Sequence, residues 1–233
     1  MASDRLSMVL AAMAAAEPGS ESAIDRVCGA AVSLLSLAGA GVSLMGDGGV
    51  RGTAGVHEQG IASMQELELT LGEGPCVDAW RIRATVLEPD LADPQRVRWP
   101  AFAEACARSG VHAVFAVPIQ LGAIGIGVLA LYRDRVGPLS EGELAIALVL
   151  ADVAAQTILG LQAGAPDEQL HELLAEEPAH WAEIHQATGM VSVQLEITLD
   201  EAFVRLRSHA FATGRSLRDV ATDVLQRRLR LAS

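Results

Sequence analysis

The sequence predicts an α+β domain, built on an antiparallel sheet with helices, followed by an all-α three-helix unit. Three observations carry that expectation. Short apolar runs come in pairs joined by glycine-rich turns, the pattern of β-hairpins, with helical periodicity before and after them. A Gly164-Ala165-Pro166 break separates this part from further helical segments with their own capping residues. Charge divides near the same place: residues 182–230 carry net +1, whereas residues 1–181 carry net −13. The expected units are therefore 1–19 (an N-terminal helix), 20–163 (the α+β domain) and 164–233 (the helical unit).

Taken in order, residues 4–16 and 21–37 read as helices, punctuated by Pro18-Gly19-Ser20, with Ser20 or Ser22 able to cap the second. Ile24, Val27, Cys28, Ala31, Leu34 and Leu35 recur at three- and four-residue steps and form its apolar face. Residues 39–45 and 50–56 read as two strands around Gly46-Asp47-Gly48-Gly49. Residues 57–69 are polar and apolar by turns, helical or irregular, and a short helix over 77–81 follows two glycines and a proline. A strand over 85–88 stops at Pro89-Asp90. The helix over 99–109 is closed by Gly110, where a left-handed cap is wanted. Residues 112–120 and 124–132 make a second hairpin, and a long apolar helix over 141–162 opens on Ser140 and Glu143 at capping-box spacing. These helices are expected on one face of the sheet. Beyond the break, a short helix over 167–176 precedes helices over 179–195, 199–213 and 216–231. Thr198 with Glu201, and Ser216 with Asp219, supply caps, and Gly214 closes the middle helix.

Bulk properties narrow the function. Every basic side chain is Arg and none is Lys, so any phosphate is met by planar forks rather than point charges. A polyanion would be repelled by the acidic front and would dock on the C-terminal helices. Cys28, Cys76 and Cys106 form no CxxC pair, which indicates neither a disulfide framework nor zinc and fits a reduced cytoplasm. The longest apolar run, 144–151, is far short of a membrane span, and Asp4 and Glu17 argue against reading the N-terminal segment as a cleaved signal. His57-Glu58 lacks a second His four residues on, and His180 and His185 do not share a helical face. No Ser/His/Asp set, paired carboxylates, P-loop or dinucleotide fingerprint appears, so catalysis is not expected.

In the second C-terminal helix Ala202, Phe203, Leu206 and Ala210 make a core stripe, and in the third Leu217, Val220, Ala221, Val224, Leu225 and Leu229 do the same. Arginines flank both. From pattern alone this is equally a charged surface on an ordinary bundle. Ala187-Thr188-Gly189, Asp200-Glu201-Ala202-Phe203, Leu206-Arg207, Gly214-Arg215, Leu217 and Val220-Ala221 together resemble the ANTAR family of RNA-binding antitermination modules over residues 182–222. The resemblance implies binding to stem-loops in nascent transcripts, in competition with a terminator. Gln186, Thr188, Gly189, Arg205, Arg207, Arg215 and Arg218 are then the RNA-contacting candidates. Thr188 stands where that family usually has Lys; if that Lys touches RNA, the contact is missing here and Gln186 or Arg205 is the candidate to replace it in part. Phe211 is expected in the core rather than stacked on a base. Arg227, Arg228 and Arg230 either add attraction for phosphate or complement the end of the last helix.

Residues 20–162 resemble a GAF domain, through Leu71-Gly72-Glu73-Gly74-Pro75-Cys76, Pro89-Asp90, Trp99-Pro100, Gly110-Val111, Val117-Pro118-Ile119 and Gly127-Val128-Leu129. The resemblance implies a sensory fold able to enclose a small-molecule ligand, with Gly72, Gly74, Cys76, Trp99 and Phe115 as candidate contacts. The Asn-Lys-Phe-Asp-Glu signature of cyclic-nucleotide-binding members is absent, so that ligand is not expected and no cofactor is named. Cys76 near a helix N-terminus would suit redox sensing if its thiol pKa were low; a buried structural thiol is the blander role. His112 is either a haem or metal ligand or a satisfied, half-buried side chain.

The resulting expectation is a cytoplasmic, non-enzymatic regulator whose front domain senses a signal and whose C-terminal helices bind RNA stem-loops. The apolar helix over 141–162 is expected to join the N-terminal helix in a homodimer bundle. Two rivals stand beside it: a sensor whose C-terminal helices bind a protein partner, and a redox or haem sensor acting through Cys76 or His112.

Overall fold

The computed structural model describes residues 2–15, 22–46, 49–93, 98–164 and 180–231. The expected turn at 18–20, the tip of the first hairpin, the break after Gly164 and the helix over 167–176 lie wholly or partly outside these residues. The front unit contains α1 (Ala2–Ala15), α2 (Ala23–Leu35), β1 (Gly39–Gly46), β2 (Gly49–His57), α3 (Gln59–Leu71), α4 (Pro75–Ile82) and β3 (Val86–Glu88). It continues with α5 (Pro100–Arg108), β4 (Ala113–Leu121), β5 (Ile124–Arg133) and α6 (Glu141–Gly164). The five strands form one antiparallel sheet in the order β2-β1-β5-β4-β3.

Helices cover both faces of that sheet, not one as the sequence predicts. On one face Ala113, Phe115, Val117, Leu129 and Leu131 pack with α2 and α6. On the other, Val114, Ala116, Val128, Ala130 and Tyr132 pack with residues of α3, α4 and α5. The reason lies in the strands themselves. Residues 113–117 and 127–133 are buried without alternation, and a strand with no polar side needs cover on both.

Local chemistry sets the element ends. Ser22 caps α2 in a full capping box with Asp25, and Asp25 Oδ1 also accepts the Val56 N–H at 2.8 Å, fixing α2 to β2. Gly110 takes the left-handed conformation (φ 74) that ends α5. Ser140 and Glu143 close a reciprocal box at the start of α6. Glu143 Oε1 also accepts from Arg133 Nη2 at 2.7 Å, while Arg133 Nη1 donates to the Pro138 carbonyl at 3.2 Å. Arg133 is nearly buried, so this group pins α6 to the end of β5. Arg133→Ala should lower stability by about 2 kcal/mol in denaturant unfolding, the order expected for losing a charge-assisted pair with its carbonyl contact.

α6 is a single 24-residue helix. The uninterrupted apolar run in the sequence understates it, because its length and composition alone would let it cross a bilayer. Its inner side, with Ala147, Leu150, Ala151, Ala154 and Ile158, is instead spent on the sheet. Leu148, Asp152 and Gln156 are exposed on its outer side, and α1 exposes Leu6, Met8 and Leu10.

The C-terminal unit contains α7 (His180–Leu195), α8 (Leu199–Thr213) and α9 (Leu217–Leu225). Thr198 and Glu201 form the expected capping box, Ser216 Oγ accepts the Asp219 N–H, and Gly214 closes α8 at φ 63. The last helix stops at Leu225 rather than running to 231; Arg227 adopts φ 57, and its N–H returns to the Val224 carbonyl. The stripes read from sequence hold: Ala202, Leu206 and Ala210 face Leu217, Val220, Ala221 and Val224 around Ile184, Ala187 and Val191. That core is continuous with the α3 side of the sheet, and α8 packs directly on α3.

Candidate functional site

The arginines of the C-terminal unit divide into three groups. Arg205, Arg227 and Arg230 are exposed and form no salt bridge among the described residues. Arg215, Arg218 and Arg228 are exposed but paired. Arg215 Nη2 donates to Asp223 Oδ2 at 2.7 Å, Arg228 Nε to Asp223 Oδ1 at 2.9 Å, and Arg218 Nε lies 3.8 Å from Glu183 Oε2. Arg215 and Arg228 hold the Asp223 carboxyl below the usual carboxylate range. Such surface pairs contribute little to stability, so a phosphate can replace the carboxylate at small cost.

Arg207 forms the third group. It does not stand on the open arginine surface: its Nε donates to the Thr70 carbonyl of α3 at 3.2 Å, and its guanidinium lies over Phe203. Burial lowers its pKa. It rests on Gly72, where a Cβ would collide with the guanidinium. The glycine read from sequence as room for a ligand is room for this arginine. Further along the same contact, burial and the Asp219 carboxylate push the Glu66 carboxyl upward, and Arg218 opposes them.

The other RNA candidates also separate. Gln186 is exposed and Gly189 half-buried. Thr188 is buried in the bundle core, and its Oγ1 donates to the Ile184 carbonyl at 2.7 Å. It falls in helical phase with Ile184, Ala187 and Val191, so it is a packing residue, not a surface contact. Phe211 is corrected in the opposite sense: it is 62% exposed, because it lies one position past the Ala210 stripe and so outside the core. Together with half-buried His209 it places aromatic rings beside the arginines.

The sensory candidates do not form one site. Phe115 faces α2 and α6, across the sheet from Cys76 and Trp99. Trp99 is buried, and its Nε1 donates to Asp78 Oδ2 at 3.2 Å, tying α5 to α4. Gly74 takes φ 144 and leaves space that the Glu68 carboxyl fills. Glu68 is what the sequence reading missed. Fully buried, it accepts the Cys76 N–H on Oε1 at 2.9 Å, and its Oε2 has no partner among the described residues. Burial raises its pKa to about 7. Burial first, and Glu68 second, push the Cys76 thiol well above its ordinary value and the Cys106 thiol to about 12; the same two causes raise Tyr132. The position of Cys76 near a helix N-terminus is therefore overridden, and the thiol is poorly suited to redox sensing. His112 is exposed rather than half-buried, and among the described residues no three His, Cys, Asp or Glu side chains are grouped to hold a metal.

Against known families, residues 19–159 match the GAF domain and residues 171–225 the ANTAR domain. No curated protein matches the chain. Among solved structures, the GAF domain of a Coxiella burnetii phosphoenolpyruvate-protein phosphotransferase is similar at 20% identity and TM-score 0.52, over 70% of this chain and 95% of that one. The GAF domain of the Acinetobacter phosphoenolpyruvate-protein phosphotransferase is similar at 12% identity and TM-score 0.50, over 70% and 96%. At these identities the likeness establishes the fold of the front unit.

Proposed function

The chain belongs to the GAF domain family and carries an ANTAR domain behind it, and from that premise we propose that it is a signal-responsive regulator that binds RNA stem-loops and acts by transcription antitermination. The observation that carries the reading is the surface of α8, α9 and the segment after it. Arg205, Arg215, Arg218, Arg227, Arg228 and Arg230 are exposed there, on a chain that is otherwise strongly acidic. Guanidinium groups fix phosphates, while Phe211, His209 and Gln186 offer stacking and hydrogen bonds to splayed loop bases. The two domains have regulatory roles, and we read the chain as a regulator rather than an enzyme.

Arg207 and the α3–α8 contact supply the coupling. A signal acts only by favouring one arrangement of the two domains over another, and here part of the arginine set is held against the sensor. The outer side of α6 and the apolar residues of α1 fit a homodimer bundle in the cytoplasm. Sedimentation should show a dimer at micromolar concentration, reduced to monomer by Leu148→Glu; a monomer at all concentrations removes the bundle. The function itself is tested by crosslinking the protein to RNA in its cell of origin and sequencing what is bound. Enrichment of paired hairpins with small loops upstream of terminators is expected; recovery of proteins but no enriched RNA favours a protein partner instead.

A further inference from the structure

Beside the Arg207 contact, a cleft of about 350 Å³ opens between α4 of the sensor and α8 of the C-terminal unit. Arg81, Arg83 and Arg207 line it together with Trp80 and Phe203, and the buried Glu68 supplies its one acidic group. Arg207 is the unusual member. It is half-buried, and among the described residues no carboxylate pairs with it; its Nε donates to one backbone carbonyl and its guanidinium lies over the Phe203 ring. Arg83 Cζ lies over the Trp80 ring, 3.7 Å from its centroid, also without a carboxylate partner among the described residues. Arg81 has only a long, exposed contact to Asp78 at 3.4 Å. Removing a guanidinium from water without a counter-charge is unfavourable, and a bidentate oxyanion matches its remaining N–H groups.

We propose that this cleft is a binding site for a small organic oxyanion, a carboxylate or phosphate monoester with a flat or apolar body. Arg207 meets the anionic group, Arg81 and Arg83 stand at the mouth, and Trp80, Phe203, Leu69 and Val77 cover the body. The Glu68 carboxyl borders the same space but is itself buried, with Oε1 committed to the Cys76 N–H. The site needs both domains: without α8 it loses Phe203 and Arg207. A bound anion therefore stabilises the docked arrangement, and RNA that draws α8 away weakens anion binding by the same factor that the anion weakens RNA binding. This last consequence rests on the proposed RNA function; the site itself does not.

The test is calorimetric titration of the full chain, without RNA, with phenyl phosphate and benzoate, using phenol as the neutral control. One saturable site for at least one anion and none for phenol is expected. Arg83→Ala and Arg207→Ala should each weaken it about tenfold, the loss expected for one charge-assisted hydrogen bond. Arg83 is exposed, so its variant should remain folded even if Arg207→Ala loosens the domain contact. Absence of saturable binding by both anions, or binding unchanged in both variants, overturns the proposal. Anion binding by a protein that binds no hairpin RNA would sink the antitermination reading and leave the site standing; hairpin binding with no anion binding would do the reverse.

Discussion

Glu68→Gln is expected to make the protein more stable than the parent at pH 8 by about 3 kcal/mol, with the difference vanishing near pH 4. The sign follows from burial. The Glu68 carboxyl is raised from its ordinary 4.5 to about 7 in the folded chain, so between those values the native state holds a proton that the unfolded state has released. Stability contributed by this group falls as pH rises through that window and is level on either side. Cys76, Asp78, Cys106 and Tyr132 face it, with Arg81, Arg83 and Arg207 on the cleft beside it, and both thiols and the phenol stay protonated across the window. Gln keeps an oxygen for the Cys76 N–H but carries no charge to desolvate. Denaturant unfolding of both proteins from pH 4 to pH 8 checks the difference, in which shared titrations cancel. Parallel curves would show that Glu68 is solvated or paired in the native state, against its placement behind Gly74.

Arg205→Ala combined with Arg215→Ala is expected to lower hairpin affinity about a hundredfold at fixed salt, roughly tenfold for each lost phosphate contact. Among the described residues Arg205 has no salt bridge to give up, and Arg215 shares Asp223 with Arg228. The substitutions therefore leave Asp223 paired, and the thermal midpoint should scarcely move. Filter binding beside a thermal melt separates the two readouts. A hundredfold loss accompanied by unfolding would assign these residues to the fold instead.

What was readable in advance was mostly local. Thr198 with Glu201, Ser140 with Glu143, Ser216 and Gly214 act within a few residues of themselves, and the structure uses each as its spacing predicts. The domain order was readable as well, because hairpins and capped helices are local patterns. The second cover on the sheet was present in the sequence but under-read, since residues 113–117 lack the polar alternation of a one-sided strand. The same parity separates Phe115 from Cys76: Phe115 lies between Val114 and Ala116, which face the other way. Thr188 and Phe211 were misplaced by helical phase, one residue in each case deciding between core and surface. Glu68 and Arg207 had no local signal at all. Glu68 sits in Gln65-Glu66-Leu67-Glu68-Leu69, indistinguishable from a solvated helix face, and the Arg207 partner Thr70 is 137 residues away.

The proposed function requires exposed guanidinium groups on α8, α9 and the residues after them to grip the phosphates of folded RNA. Salt dependence of hairpin binding by the full chain measures this most directly. The logarithm of affinity should fall linearly with the logarithm of salt concentration, and the slope should shrink by about one for each of Arg205 and Arg215 replaced by Ala. Binding that ignores salt, or a slope that the double variant leaves unchanged, would contradict it.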